Sequence, residues 1–226
     1  MALWFFGDSY CIESQHSRDG DVELWQYDYN WMDYISQGLG ISDVRVMSQH
    51  GVSNDWIFKH FIDCTSDFQK GDCIVVQFTS SLRKWFFPED PYLSNTLNSF
   101  GYEHPKPVRQ AIDGYNQYLR NDQLDNIQYT AYIYATMLVA QSRPDLKILL
   151  LPGFDSVPNV VGNLTTNICN YELEDPSKFY EKWEGFDPRL NHMSHDNHKV
   201  LADKIVDFFI NGTLLDLTTG FKGKLY

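Results

Sequence analysis

Four short apolar runs alternating with helical patterns constrain this fold more than any other feature of the chain. They are residues 2–6 (Ala2-Leu3-Trp4-Phe5-Phe6), 43–47 (Asp43-Val44-Arg45-Val46-Met47), 73–78 (Cys73-Ile74-Val75-Val76-Gln77-Phe78) and 147–151 (Lys147-Ile148-Leu149-Leu150-Leu151). Three of them are nearly continuously apolar, as strands covered on both faces are. Helical periodicity occupies residues 25–37, 54–68 and 107–142, the last broken near Asn121-Asp122, and returns over 195–210 with Val200, Leu201, Ile205, Phe208 and Phe209 on one face. Strands that alternate with helices in this way form a parallel sheet with helices on both sides. The expected fold is therefore α/β: a three-layer α/β/α sandwich with a mainly parallel central sheet, flavodoxin-like in plan.

At 226 residues the chain fits one domain, large enough to bury a core without disulfide or metal staples. The domain is expected over residues 1–211, with 212–226 as a weakly patterned tail able to dock on a protein partner or a second copy. Loops rich in proline and aromatic residues cover 83–106 and 152–190. Such loops, at the carboxyl ends of parallel strands, are where doubly wound sheets build sites.

A net charge of −12 argues against nucleic acid and against an anionic membrane surface, since phosphates would be repelled. Six Trp and fourteen Tyr exceed the ordinary needs of a core this size, so some are expected to line a cleft or a contact surface. Cys11, Cys64, Cys73 and Cys169 show no metal-type pairing and read as free thiols in a reducing compartment. Residues 2–6 are too short and lack the basic flank of a secretion signal, and no stretch has the length of a membrane span. A cytoplasmic location is expected.

The first strand runs directly into Gly7-Asp8-Ser9-Tyr10, which puts a hydroxyl at the rim of the sheet. Far along the chain, Asn191-His192-Met193-Ser194 places a histidine just ahead of a helix. A serine and a histidine at two such junctions are the raw material of nucleophilic catalysis. Asp8 reads as a residue that pins the turn through backbone N–H groups rather than as a partner of the imidazole.

From Gly7-Asp8-Ser9-Tyr10 to His192 the chain resembles the SGNH hydrolases, also called the GDSL esterase/lipase family. The resemblance implies Ser9 as nucleophile, with its own N–H in the oxyanion hole. It implies Gly51, in Ser48-Gln49-His50-Gly51 after the second strand, as a further donor. It implies His192 as the general base. Two of the family's blocks are altered. The third, normally Gly-x-Asn-Asp, falls on Thr79-Ser80-Ser81-Leu82, so that either Thr79, Ser81 or the following Arg83 replaces the asparagine donor, or the enzyme is slow. The last, normally Asp-x-x-His, has Arg189 where aspartate stands. Either Asp187 supplies the acid from two residues earlier, or a backbone carbonyl orients His192. A Thr-Ser third block with an Asn-His-Met-Ser last block is similar to divergent, phage-associated members of the family.

Other residues carry weaker signals. His192, His195 and His198 have a spacing that could hold a metal, but no metal or other cofactor is expected. Asn54, in Gly51-Val52-Ser53-Asn54-Asp55, has the reach to approach the cleft. Trp85, Phe86 and Phe87 suit either a pocket wall or the core beneath the loop. The function these features imply is a serine carboxylic-ester hydrolase acting on short acyl esters, such as O-acetyl groups of a polysaccharide. The alternative is a catalytically degenerate scaffold of the same type, serving as a binding or virion structural module.

Overall fold

The computed structural model describes residues 1–11, 30–85, 106–167, 193 and 195–221. Four strands form the central sheet: β1 (Leu3–Gly7), β2 (Val44–Ser48), β3 (Cys73–Phe78) and β4 (Lys147–Pro152). They are all parallel, in the order β2-β1-β3-β4. This is the strand order of the first four strands in a doubly wound flavodoxin-type sheet. The three-layer parallel α/β architecture expected from the sequence is the one observed, with each strand within a residue or two of its expected place.

Alternation along the strands divides the core cleanly. Leu3 and Phe5 of β1 and Cys73 and Val75 of β3 face α1 (Trp31–Leu39), burying Trp31, Met32 and Ile35. Trp4, Phe6, Ile74, Val76 and Phe78 face the other way, against α2 (Asn54–Asp63), burying Trp56, Ile57 and Phe61. A one-residue slip of β1 would exchange these two sets, so the register is strongly fixed. Edge-to-face ring contacts lock both layers: Phe5 with Trp31 at 5.3 Å on one side, Phe6 with Phe61 at 5.7 Å on the other.

Local chemistry sets the helix boundaries. Asn30 closes a capping box at the start of α1, its side chain accepting from the N–H groups of Met32 and Asp33 while Asp33 accepts from the Asn30 N–H. The expected helix over 25–37 is thus seen from Trp31; its first residues lie outside the described set. The long helical stretch divides as its sequence predicts. α3 (Lys106–Gly114) continues into a π-helical turn (Tyr115–Leu119), and Asn121 then caps α4 (Asp122–Ser142) by accepting from Gln123 and Leu124.

Beyond β4 come a short strand β5 (Val160–Val161), a helical turn α5 (Leu164–Asn167), α6 (His195–Asn211) and β6 (Leu215–Asp216). Residues 215–217, within the segment expected as a tail, pack on the domain. β6 pairs with β5, and Leu215 and Leu217 are buried in the α1-side core with Leu201, Ile205 and Phe209 of α6. Alternating apolar side chains at 215 and 217 make this segment a strand of the domain rather than a free arm. No helix among the described residues is long and apolar enough to cross a membrane. Cys11, Cys64 and Cys73 are free thiols.

Candidate active site

β1 ends at Gly7, and the chain turns at once into a 3-10 turn over Ser9–Cys11, closed by the Cys11 N–H donating to the Asp8 carbonyl at 3.0 Å. Ser9 therefore stands at the carboxyl rim of the sheet, half-buried, with fully buried residues on either side. In the order β2-β1-β3-β4 the chain reverses its direction of travel across the sheet between β1 and β3. That reversal opens the crevice in which doubly wound sheets bind ligands.

Asp8 holds the turn. Its Oδ1 accepts from the Tyr10 N–H at 3.1 Å, the pinning role its sequence position suggests. Its Oδ2 accepts from the Thr79 hydroxyl at 2.7 Å and from Arg83 Nη1 at 2.7 Å. The carboxylate is fully buried, and these three charge-assisted bonds are what make its burial tolerable. They also tie the end of β1 to the end of β3 across the reversal point.

Gln77 supports the turn from below. Its Oε1 accepts from the Asp8 N–H at 2.9 Å, and its Nε2 donates to the Phe78 carbonyl at 2.9 Å. The amide lies between two glycines. A Cβ on Gly7 would come within 2.6 Å of both Gln77 Oε1 and Cys11 Sγ, and one on Gly153 within 2.5 Å of the Phe78 carbonyl oxygen. Both positions require glycine for space rather than for backbone freedom. Cys11 itself is no rival nucleophile: burial, reinforced by the Asp8 charge, pushes its thiol well above the ordinary range.

Gly51 lies in the turn after β2 with φ of 68°, the left-handed conformation that favours glycine. Just before this turn, the register sets Ser48 beside Gly7, and the Ser48 hydroxyl donates to the Cys11 carbonyl. Arg83 completes the link: the nitrogen that binds Asp8 also approaches the Val52 carbonyl at 3.5 Å.

The two candidates for the altered third block fare differently. Thr79 is fully buried and its hydroxyl proton is directed at Asp8, while its N–H donates to Asn54 Oδ1 at 2.8 Å. In this arrangement Thr79 organises the Ser9 turn instead of donating into the crevice. Ser81 N–H donates to Asp155 at 2.9 Å, and the residue lines a small polar cleft with Asn54, Asp55, Arg83, Lys84, Asp125, Gln128, Tyr129 and Tyr132. Asn54 does reach this region, but its amide nitrogen donates to the carbonyls of Thr79 and Ser80 at 3.1 and 3.3 Å. It thereby shapes the exit of β3 as a neighbouring strand would. Arg83 has a buried Nε with no hydrogen-bond partner among the described residues, and its guanidinium lies 5.2 Å from the Phe154 ring centre.

The wall of this cleft is a charged network. Lys84 Nζ bonds Asp125 at 2.8 Å and Gln128 at 2.7 Å, and Asp55 accepts from Gln128 and from the Tyr132 hydroxyl. Burial and then the Asp55 carboxylate raise the Tyr132 phenol well above its usual value, so it stays a donor. Trp85, weighed as pocket wall or core, is partly buried and packs against the α2-side core.

Asp187 and His192, the expected acid and base, lie outside the described residues, as do Phe86 and Phe87. Their flank is described. Met193 is buried in the same core cluster as Tyr10, Cys11 and Trp31. His198, on the first turns of α6, accepts the Trp31 N–H on Nδ1 at 3.2 Å, and the Trp31 indole donates to the Tyr10 carbonyl at 2.7 Å. His198 therefore spends one imidazole nitrogen on a long-range anchor that leads straight back to the serine turn.

Comparison with protein-family models and with curated proteins finds no match to this chain. The chemistry of the crevice thus rests on the residues themselves.

Proposed function

We propose that the chain is a serine carboxylic-ester hydrolase of SGNH type, acting on short acyl esters. One observation carries the reading: the Gly-Asp-Ser-Tyr turn sits at the β1/β3 reversal point with its aspartate buried and clamped and with half-buried Ser9 at the carboxyl rim of the sheet. A buried carboxylate, a partly buried arginine and two space-demanding glycines are a costly way to build a turn that does nothing else.

In this reading Ser9 Oγ attacks the acyl carbonyl and His192 takes the serine proton. The N–H groups of Ser9 and Gly51 hold the oxyanion. The bond to the leaving alcohol breaks as His192 returns the proton to it. Water, deprotonated by the same imidazole, then releases the acid and restores Ser9. Asp187 or a backbone carbonyl would orient His192, whose neighbour Met193 is anchored in the same core cluster as Tyr10. Loss of the usual third donor would cost about 2.7–4 kcal/mol of transition-state stabilisation unless Ser81 or Arg83 replaces it. The abundance of aromatic residues, the polar long loops and the lack of an extended apolar lid pattern in the sequence favour an O-acetylated polysaccharide over a lipid as substrate. A cytoplasmic or virion-associated setting fits the free thiols.

The direct test is turnover of p-nitrophenyl acetate by wild type and Ser9→Ala, with fluorophosphonate labelling mapped to Ser9. Turnover lost in Ser9→Ala supports the reading; a wild type that neither turns over nor labels overturns it. The second reading, a degenerate scaffold that binds without catalysis, is favoured by one fact: the Thr79 hydroxyl is spent on Asp8. It predicts that second outcome.

A further inference from the structure

α4 carries two apolar faces where a surface helix needs one. The inner face buries Tyr129, Ile133 and Thr136, with Asp125 in its ion pair to Lys84. The outer face exposes Leu124, Ile127, Tyr134 and Leu138, each 58–65 % accessible, with exposed Ala131 between them. The spacing 124, 127, 131, 134, 138 alternates three and four residues without a break. That is the a/d seam of a helix built to pack lengthwise against another helix, and isolated surface apolar residues do not adopt it by default.

Charge points to what covers the seam. Of all residues 21 % are charged and the net charge is −12, yet between 123 and 142 the only charged residue is Asp125, which is turned inward. The positions flanking the seam are Gln123, Gln128, Thr130, Ala135 and Met137. A two-fold contact sets a patch against its own copy, so a patch that carries net charge meets the same net charge and is repelled. This acidic chain is neutral along the one stripe where self-contact would demand it. A partner of opposite charge would have no feature here to recognise.

We infer that α4 is the interface of a homodimer, in which two copies pack their outer faces antiparallel about a two-fold axis. Ile127 of one copy then meets Leu138 of the other, and Tyr134 lies over the small Ala131. Large side chains are set beside small ones, and the helix dipoles oppose favourably. Exposed Tyr118 and Leu119, in the turn just before α4, extend the contact at either end. A 21-residue helix is about 30 Å long and about 10 Å wide. Its pairing removes on the order of 1,000 Å² in total, at the lower end for specific association. A contact of this size is sought at micromolar concentration.

Sedimentation velocity of the full chain from about 1 to about 200 µM tests this. The expected result is a monomer–dimer equilibrium within that range, shifted at least tenfold toward monomer by I127E/L138E. Tyr134→Arg alone should do the same, and Leu214→Glu, on an exposed apolar residue outside α4, should leave the equilibrium unchanged. The substituted side chains are exposed, so thermal melts should match wild type; Tyr134→Arg serves if the double variant does not fold. A wild type that stays monomeric throughout, with the seam left to a segment of the same chain or to another protein, overturns the proposal. So does a dimer that both variants leave intact.

Discussion

Arg83 Nη1 lies 2.7 Å from the buried Asp8 Oδ2, and the pair joins the serine turn to the exit of β3. Neither residue is free to be replaced alone. Arg83→Met leaves a carboxylate buried with only the Thr79 hydroxyl and the Tyr10 N–H for company, and should cost about 3–5 kcal/mol in urea unfolding. Asp8→Asn keeps the shape and removes the charge, which strands Arg83 instead. Asp8→Asn/Arg83→Met should be less destabilised than the sum of the single changes by more than about 1 kcal/mol. Additivity would mean that the pair is only a geometric coincidence.

The two glycines around Gln77 invite a second comparison. Gly153→Ala drives a Cβ against backbone, 2.5 Å from the Phe78 carbonyl oxygen, whereas the nearest atoms to a Cβ on Gly7 are side-chain atoms of Cys11 and Gln77. Side chains can turn aside; a β-strand carbonyl cannot. Overpacking of this kind costs about 1–3 kcal/mol, and Gly153→Ala should be the worse of the two by thermal unfolding. Gly7→Ala should in turn be the worse for esterase turnover, because it displaces Cys11 and with it the Ser9 turn.

Much of this was legible in the sequence because it was local. Strand-length apolar runs fixed β1 to β4, and the Asn121 cap marked the break ahead of α4 because its signal lies within three residues. The supports of the serine turn were not local. Gln77 sits in an apolar strand and reads as one tolerated polar residue until Asp8 is placed beside it, 69 positions away in sequence. Arg83 looked like the first residue of a loop, and Thr79 like a donor into the crevice; only the parallel pairing of β1 with β3 turns both toward Asp8. The strand β6 was illegible for a different reason: two residues have too short a period to stand out.

Acid stability should depend on Asp72, which accepts from the Ala2 N–H at 2.6 Å, the Gln69 N–H at 2.9 Å and the Trp4 indole at 3.1 Å. Burial alone would raise this carboxyl, but the N–H groups of Gln69 and Ala2 and the Trp4 indole together hold it below the usual carboxylate range. A depressed pKa in the folded state means that the unfolded chain takes up the proton first. The stabilisation is therefore complete above about pH 5 and is lost as the pH falls through the unfolded value near 4 toward the folded one. Asp72→Asn should lose about 1–3 kcal/mol at pH 7 and show a flatter decline of stability between about pH 5 and 3. Parallel curves for wild type and variant would remove Asp72 from the account.

The anchor from α6 to the serine turn separates stability from catalysis. Trp31→Phe keeps an aromatic ring against Phe5 but removes the indole N–H that bonds the Tyr10 carbonyl and leaves a cavity where the second ring stood. The buried hydrogen bond and the lost packing together should cost about 2–4 kcal/mol of stability. Because Tyr10 follows Ser9 directly, the loss should also lower kcat for p-nitrophenyl acetate while leaving KM within about twofold, the pattern of a misplaced nucleophile rather than a weakened binding site.

Thiol chemistry offers a check on which nucleophile the crevice uses. Cys11 lies two residues from Ser9 and would be a plausible mistake in any inhibitor study. It is fully buried, and burial with the Asp8 charge keeps it protonated. Iodoacetamide should leave Cys11 unmodified in the folded protein and should alkylate it only after denaturation, as read by peptide mass mapping. Esterase activity should survive the reagent and be lost to a fluorophosphonate. If alkylation of Cys11 in the native state tracks loss of activity, the turn opens far more readily than its hydrogen bonds to Gln77 and Asp8 imply, and the assignment of the nucleophile to Ser9 must be made again from Cys11→Ala.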